Sequence, residues 1–91
     1  MEAISTTKDC ILITFASTHS AIEFERTAKE MGVPMRLIPT PRSISASCGL
    51  TARLDTELLA TARRLAETYR IRLGKTYRKQ GTRIEPEPEE E

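Results

Sequence analysis

The chain has 91 residues, which is room for one small domain and leaves no space for a second, catalytic one. It carries 14 Lys and Arg against 13 Asp and Glu, but five acidic residues stand in the last seven positions, so residues 1–84 net about +6. It has neither the roughly 18 consecutive apolar residues of a membrane span nor the features of a signal peptide. We therefore expect a cytoplasmic protein, without membrane contact, whose basic body favours anionic partners or is masked by its acidic tail.

The two cysteines, Cys10 and Cys48, are expected to be free thiols, because a chain without an export signal normally stays in a reducing compartment. Two cysteines and one histidine do not supply the four ligands of a structural zinc site, so we expect no metal and no cofactor. The chain has only four aromatic residues, which is few for stacking nucleic-acid bases.

The first predicted elements are a strand and a helix. Residues 10–16 form a short apolar run rich in β-branched and aromatic residues, typical of a central strand buried on both faces. Ser17, Thr18 and Ser20 supply helix-capping hydroxyls, and Glu23 follows Ser20 by three residues, as in a capping box. Gly32 is expected to close this helix, and Pro34 prevents its continuation.

The middle of the chain predicts two strands joined by a loop. Residues 35–39 favour a strand, and residues 39–49 form a loop that contains two prolines, three serines and Cys48. In residues 50–54, apolar and polar side chains alternate, which indicates a half-buried strand. A second helix is expected to begin at Asp55 or Thr56. Its apolar stripe is Leu58, Ala62, Leu65 and Tyr69.

A last strand is expected at about residues 73–79, although Gly74 and Lys75 interrupt its pattern. The Pro and Glu composition of residues 80–91 cannot bury apolar area, so we expect a disordered acidic tail after a single domain of residues 1–79.

The order strand, helix, strand, strand, helix, strand predicts an α+β fold of the ferredoxin-like split βαβ type (βαββαβ). Its four-stranded antiparallel sheet carries two helices on one face. In this topology the end of the first strand, the loop between the second and third strands and the end of the second helix share one edge. We therefore expect His19, Cys48 and Arg70 to lie at that edge.

Cys48 is the candidate reactive residue, because positive charge and a helix N-terminus favour the thiolate form of a cysteine. Its loop is polar, Arg42 and Arg53 lie within six residues, and Gly49 permits close approach of the backbone. We therefore expect Cys48 to be accessible and Cys10, which begins an apolar run, to be buried. The alternative for Cys48 is an inert loop residue. His19 is either a residue of the helix start or a partner of the thiolate.

Residues 38–50, Ile-Pro-Thr-Pro-Arg-Ser-Ile-Ser-Ala-Ser-Cys-Gly-Leu, resemble the diagnostic stretch of the selenium/sulfur (Se/S) carrier-like family of small prokaryotic domains. Residues 14–20 and 74–78 extend the likeness, which covers roughly residues 10–78. The resemblance implies that Cys48 carries a persulfide or selenopersulfide.

Such a carrier would receive its atom from a cysteine desulfurase-type donor and pass it to a downstream acceptor protein, acting as a carrier rather than a stand-alone enzyme. Arg42 or the first helix's N-terminus would favour the thiolate of Cys48. Two other functions stay open, a regulatory or partner-binding module and a nucleic-acid binder. The basic residues between positions 63 and 83 are either a solvated face or a nucleic-acid surface, and the missing aromatic signature makes nucleic acid unlikely.

Overall fold

The computed structural model describes residues 9–44, 46 and 48–87. Over these residues the chain forms a five-stranded antiparallel sheet with two α-helices, which confirms the predicted α+β class. The elements are β1 (Cys10–Phe15), α1 (Thr18–Glu30), β2 (Arg36–Pro39), β3 (Leu50–Asp55), a 3₁₀ turn (Thr56–Leu58), α2 (Leu59–Tyr69), β4 (Leu73–Gln80) and β5 (Arg83–Pro86). Neither helix in this part of the chain is long and apolar enough to cross a membrane.

The strands lie in the order β2-β3-β1-β4-β5, and each pairs antiparallel with its neighbours. Every residue of β1 is buried, as its uninterrupted apolar run predicts for the centre of a sheet. The ladder between β1 and β4 shifts register after Ile13, next to Gly74. A Cβ atom on Gly74 would overlap the Thr14 hydroxyl, so only glycine fits beside β1 at this irregularity.

The main core lies on the face of the sheet that both helices cover. Ile11, Ile13 and Phe15 of β1 pack there against apolar residues of α1 and α2. The rings of Phe15 and Phe24 are 5.4 Å apart between centroids, which ties α1 to the central strand. The opposite face carries a smaller cluster, which we call the back cluster. It consists of Cys10, Leu12 and Ile44, with Ile38, Tyr77 and Ile84 packed around them.

A capping side chain and a glycine define the two ends of α1, with one difference from the prediction. Of the three predicted capping residues, Ser17 is the N-cap, because its Oγ accepts a hydrogen bond from the Ser20 N–H at 3.2 Å. The capping box expected between Ser20 and Glu23 is therefore wrong. Gly32 follows the helix with a φ of +75°, so its predicted role in closing α1 is confirmed.

The expectation of four strands and of disorder from residue 80 is wrong for residues 80–87. β4 runs to Gln80, the chain turns at Gly81 with a φ of +62°, and β5 pairs back onto β4. Ile84 packs against the back cluster, which provides apolar burial that the composition does not reveal. Residues 88–91 of the expected tail lie outside the described residues.

Glu87, directly after β5, joins the tail to the sheet. Arg78 donates from Nε to its Oε1 at 2.8 Å and from Nη2 to its Oε2 at 3.2 Å. These hydrogen bonds, together with the charge of the guanidinium, lower the pKa of the Glu87 carboxyl from its ordinary value.

We expect Glu87→Gln to lower the urea midpoint of unfolding at pH 7. Because the folded-state pKa of Glu87 is depressed, its stabilising contribution is present above the ordinary carboxyl pKa of about 4.3 and is lost as the pH falls further. The difference from wild type should therefore disappear near pH 3. Glu85→Gln is the matched control, since the Glu85 ion pair with Arg83 is exposed. Equal effects of both substitutions at pH 7 would contradict this role of Glu87.

Candidate functional site

Cys48 lies in the connection between β2 and β3, at the sheet edge where β1 ends. Its Sγ accepts a hydrogen bond from the Leu50 N–H at 3.3 Å and lies 3.8 Å from the Thr18 hydroxyl. Thr18 is the first residue of α1, so the sulfur is next to the N-terminus of this helix. The topology therefore brings the β2–β3 loop and the start of α1 together.

Thr40 closes the base of the loop that carries Cys48. Its N–H donates to the Gly49 carbonyl at 2.9 Å, and its hydroxyl donates to the Cys48 carbonyl at 3.0 Å. The same hydroxyl lies 2.9 Å from the hydroxyl of the buried Thr51. Because a hydroxyl has one proton, Thr51 must donate in that pair. Thr40 therefore holds the carbonyl groups of Cys48 and Gly49, the first through its side chain and the second through its backbone N–H.

The predicted accessibility of Cys48 is wrong. Its relative exposure is 4%, and it belongs to the main core beside Phe15 and the helices. The loop is polar, but the Cys48 side chain points inward from it, towards Thr18 and the Leu50 N–H. Cys10 is 3% exposed, as predicted, and lies in the back cluster on the other face of the sheet. The two thiols are free and separated by the sheet.

His19 lies beside the site without touching the sulfur. It follows Thr18 in the first turn of α1, its side chain is 84% exposed, and its Nε2 is 3.6 Å from Glu23 Oε1. Among the described residues, no hydrogen bond or ion pair joins His19 to Cys48. The i,i+4 pair with Glu23 is the interaction that the structure shows for this residue.

Arg42 and Gly49 also differ from their expected settings. Arg42 is exposed in a turn closed by the hydrogen bond from the Ile44 N–H to the Pro41 carbonyl at 3.0 Å. Within the described part of the chain, no hydrogen bond or ion pair links it to Cys48. Gly49 is exposed, and a Cβ atom there would meet nothing within 4 Å. It leaves open space beside Cys48 rather than permitting a close backbone contact.

Three threonines and one isoleucine of the site were not predicted from the sequence. Thr18 touches the sulfur, Thr40 and Thr51 hold the loop, and Ile44 is 5% exposed in the back cluster. Thr18 and Thr40 both stand inside the segments that carry the family resemblance, which was the available signal. Ile44 is a lone apolar residue among polar neighbours, and such a residue in a loop often marks an anchor.

Two features beside the Cys48 sulfur, the N-terminus of α1 and the Leu50 N–H, can interact with a negative charge. A helix N-terminus carries a partial positive charge, and an N–H donor such as that of Leu50 forms a stronger hydrogen bond with an anion than with a neutral acceptor. Across residues 9–44, 46 and 48–87, no three His, Cys, Asp or Glu side chains gather as metal ligands. The chemistry that these residues support is that of a single thiol.

Comparison with protein families identifies the chain. A model of the family described as "Putative Se/S carrier protein-like" matches residues 9–78. The chain belongs to this family. The match includes β1, the start of α1, the Cys48 loop and most of β4, and it ends before β5. No curated protein and no solved structure matches the chain.

Because both thiols are buried, we expect both to react slowly in the folded protein. In the folded protein, iodoacetamide should label both cysteines at least about tenfold more slowly than in urea, because buried thiols react only when the structure opens locally. Mass spectrometry of Cys10→Ser and Cys48→Ser would assign each rate to one thiol. Labelling of Cys48 at the unfolded rate would contradict the closed loop.

Proposed function

We propose that this chain carries sulfur or selenium on Cys48, as a persulfide or selenopersulfide. The observation that carries the proposal is the placement of the Cys48 sulfur between the Leu50 N–H and the first residue of α1. Membership of the Se/S carrier-like family supports it. The sheet order β2-β3-β1-β4 is also the order of a ferredoxin-like sheet, which β5 extends in this chain.

The transfer is redox-neutral, because one S–S bond breaks for each S–S bond that forms. The Cys48 thiolate attacks the terminal sulfur of a donor persulfide, such as that of a cysteine desulfurase, and forms a new S–S bond. The donor's own S–S bond breaks, and the donor leaves as a thiolate that takes up a proton. In the second step an acceptor nucleophile attacks the terminal sulfur, and Cys48 leaves again as a thiolate. In this proposal the protein is a carrier between two partner proteins of the cytoplasm, rather than a stand-alone enzyme.

The Leu50 N–H and the α1 N-terminus serve both steps of this proposal. In the closed loop they stabilise the thiolate of Cys48, before the first transfer and again after the second. Thr18 supplies a hydroxyl that can turn its proton towards the same sulfur. His19 and Gly49 are each next in sequence to a residue of the site and exposed, so a donor would meet them first.

Burial of Cys48 adds a requirement, which is movement of the loop. A persulfide is larger than a thiol and must be reached by a donor, whereas the resting sulfur is covered. We infer that residues 41–49 open when a donor or acceptor binds and close around the loaded sulfur. Closure would keep reductants away from the carried atom between the two transfers.

The experiment that tests this function is mass spectrometry after incubation with a cysteine desulfurase and cysteine, without reductant. Wild type should gain about 32 Da, the mass of one sulfur atom, and Cys48→Ser should gain nothing. Cys10→Ser should behave as wild type, since Cys10 lies on the other face of the sheet. Added mass on Cys10 alone, or on neither cysteine, would remove the carrier function and leave the partner-binding module.

A further inference from the structure

Two arginines stand directly opposite each other on the face of the sheet that the helices leave uncovered. Arg36 of β2 pairs in register with Arg53 of β3, and Arg53 pairs with Leu12 of β1. Leu12 belongs to the back cluster, so both arginines point to that face. Directly opposite residues have Cβ atoms about 4.5–5.5 Å apart, which places two positive charges side by side.

A bound anion would relieve the repulsion between these two charges. Like charges directly opposite each other in a sheet are destabilising. Within the described residues neither Arg36 nor Arg53 has an ion pair, and Asp55, two residues beyond Arg53 on the same face, pairs with neither. Glu87, the first residue after β5, is bound to Arg78, whose register partner Ile11 faces the helices. As far as residue 87, the acidic tail therefore lies on the face that the helices cover, away from Arg36 and Arg53.

A third arginine stands on the loop beside this surface. Arg42 is exposed in the turn from Pro41 to Ile44, and Ile44 is packed in the back cluster on this face. No described ion pair involves Arg42. Arg36, Arg42 and Arg53 together form a surface that we call the arginine face. Since Arg42 stands on the loop that carries Cys48, a partner bound to the arginine face contacts that loop.

The chemistry of this surface favours an acidic protein segment over nucleic acid. The shape of a guanidinium group fits carboxylates and phosphates equally well, because it forms two parallel hydrogen bonds with either. Single-stranded nucleic acid, however, is bound on sheets by exposed aromatic rings, and the aromatic residue of this face, Tyr77, is packed against the back cluster. Among the described strands, β2 is also an edge strand with one side unpaired, which suits the addition of an extended peptide.

We infer that the arginine face is a docking site for an acidic, extended segment of a partner protein. The segment lies along β2 and places its carboxylates against Arg36, Arg42 and Arg53. This docking goes beyond the carriage of sulfur and does not depend on it. Cys48→Ser should therefore bind the segment as wild type does, so that failure of either proposal can be recognised separately.

The test is fluorescence anisotropy with a labelled decaglutamate peptide at low salt, using the full chain. Arg36→Gln with Arg53→Gln should weaken binding about tenfold or more, and the affinity of wild type should fall as salt rises. The control is Arg26→Gln with Arg64→Gln, which removes the same charge from the two helices and should change affinity little. Decauridylate at equal concentration is the competing probe.

A second variant separates docking from folding. Arg36→Glu places a carboxylate opposite Arg53, so it should raise the urea midpoint of unfolding and still abolish peptide binding. Absence of decaglutamate binding to wild type would overturn the inference, as would equal losses in the control pair. Tighter binding of decauridylate than of decaglutamate would also overturn it, in favour of a nucleic-acid surface.

Discussion

The two hydrogen bonds that Thr40 donates, from its hydroxyl to the Cys48 carbonyl and from its N–H to the Gly49 carbonyl, hold the candidate site together. They join the residue after β2 to the two residues before β3 and so close the base of the intervening loop. With its backbone fixed in this way, Cys48 directs its sulfur to the Leu50 N–H and the first residue of α1. The buried β1 strand sets the distance between these parts, because it pairs with β3 and leads directly into α1.

A carrier thiol must be both protected and reachable, and the energies of this loop are compatible with both. Burial of the Ile44 side chain contributes about 1.5–3 kcal/mol. The two hydrogen bonds of Thr40 to the loop contribute roughly 0.5–1.5 kcal/mol each. Opening of residues 41–49 would therefore cost about 2.5–6 kcal/mol, which lies within the range of local unfolding. The closed loop dominates at rest, yet a partner with modest binding energy can open it.

The elements that depend on local patterns were predictable from the sequence. The apolar run of β1, the alternation of β3 and the glycine that ends α1 are each decided by neighbouring residues. The strand β5 was not, because its segment is short and flanked by Pro and Glu, and only its pairing with β4 and the burial of Ile84 make it a strand. Tertiary context of this kind overrides local composition.

For the site, the sequence predicted which residue is the candidate nucleophile but did not predict the environment of its side chain. Cys48 was identified by its loop and by the family resemblance, but loop composition describes the average exposure of a segment and not the direction of one side chain. The i,i+4 spacing of His19 and Glu23 was readable in advance, whereas the contact of Thr18 with Cys48 joins residues 30 apart in sequence. Arg42 is close to Cys48 in sequence, and only the structure shows that it stands in an exposed turn, with no hydrogen bond or ion pair to the thiol among the described residues.

The rate of persulfide formation on Cys48 in Ile44→Ala tests most directly whether the closed loop controls a carrier thiol. With a low-molecular-weight persulfide as donor and Cys10→Ser as background, this variant should load about tenfold or more faster than the parent, because the loop loses its buried anchor. Ile22→Ala is the control, since Ile22 is exposed on α1 and should leave the rate unchanged. Loading of Ile44→Ala at the parent rate would contradict the account.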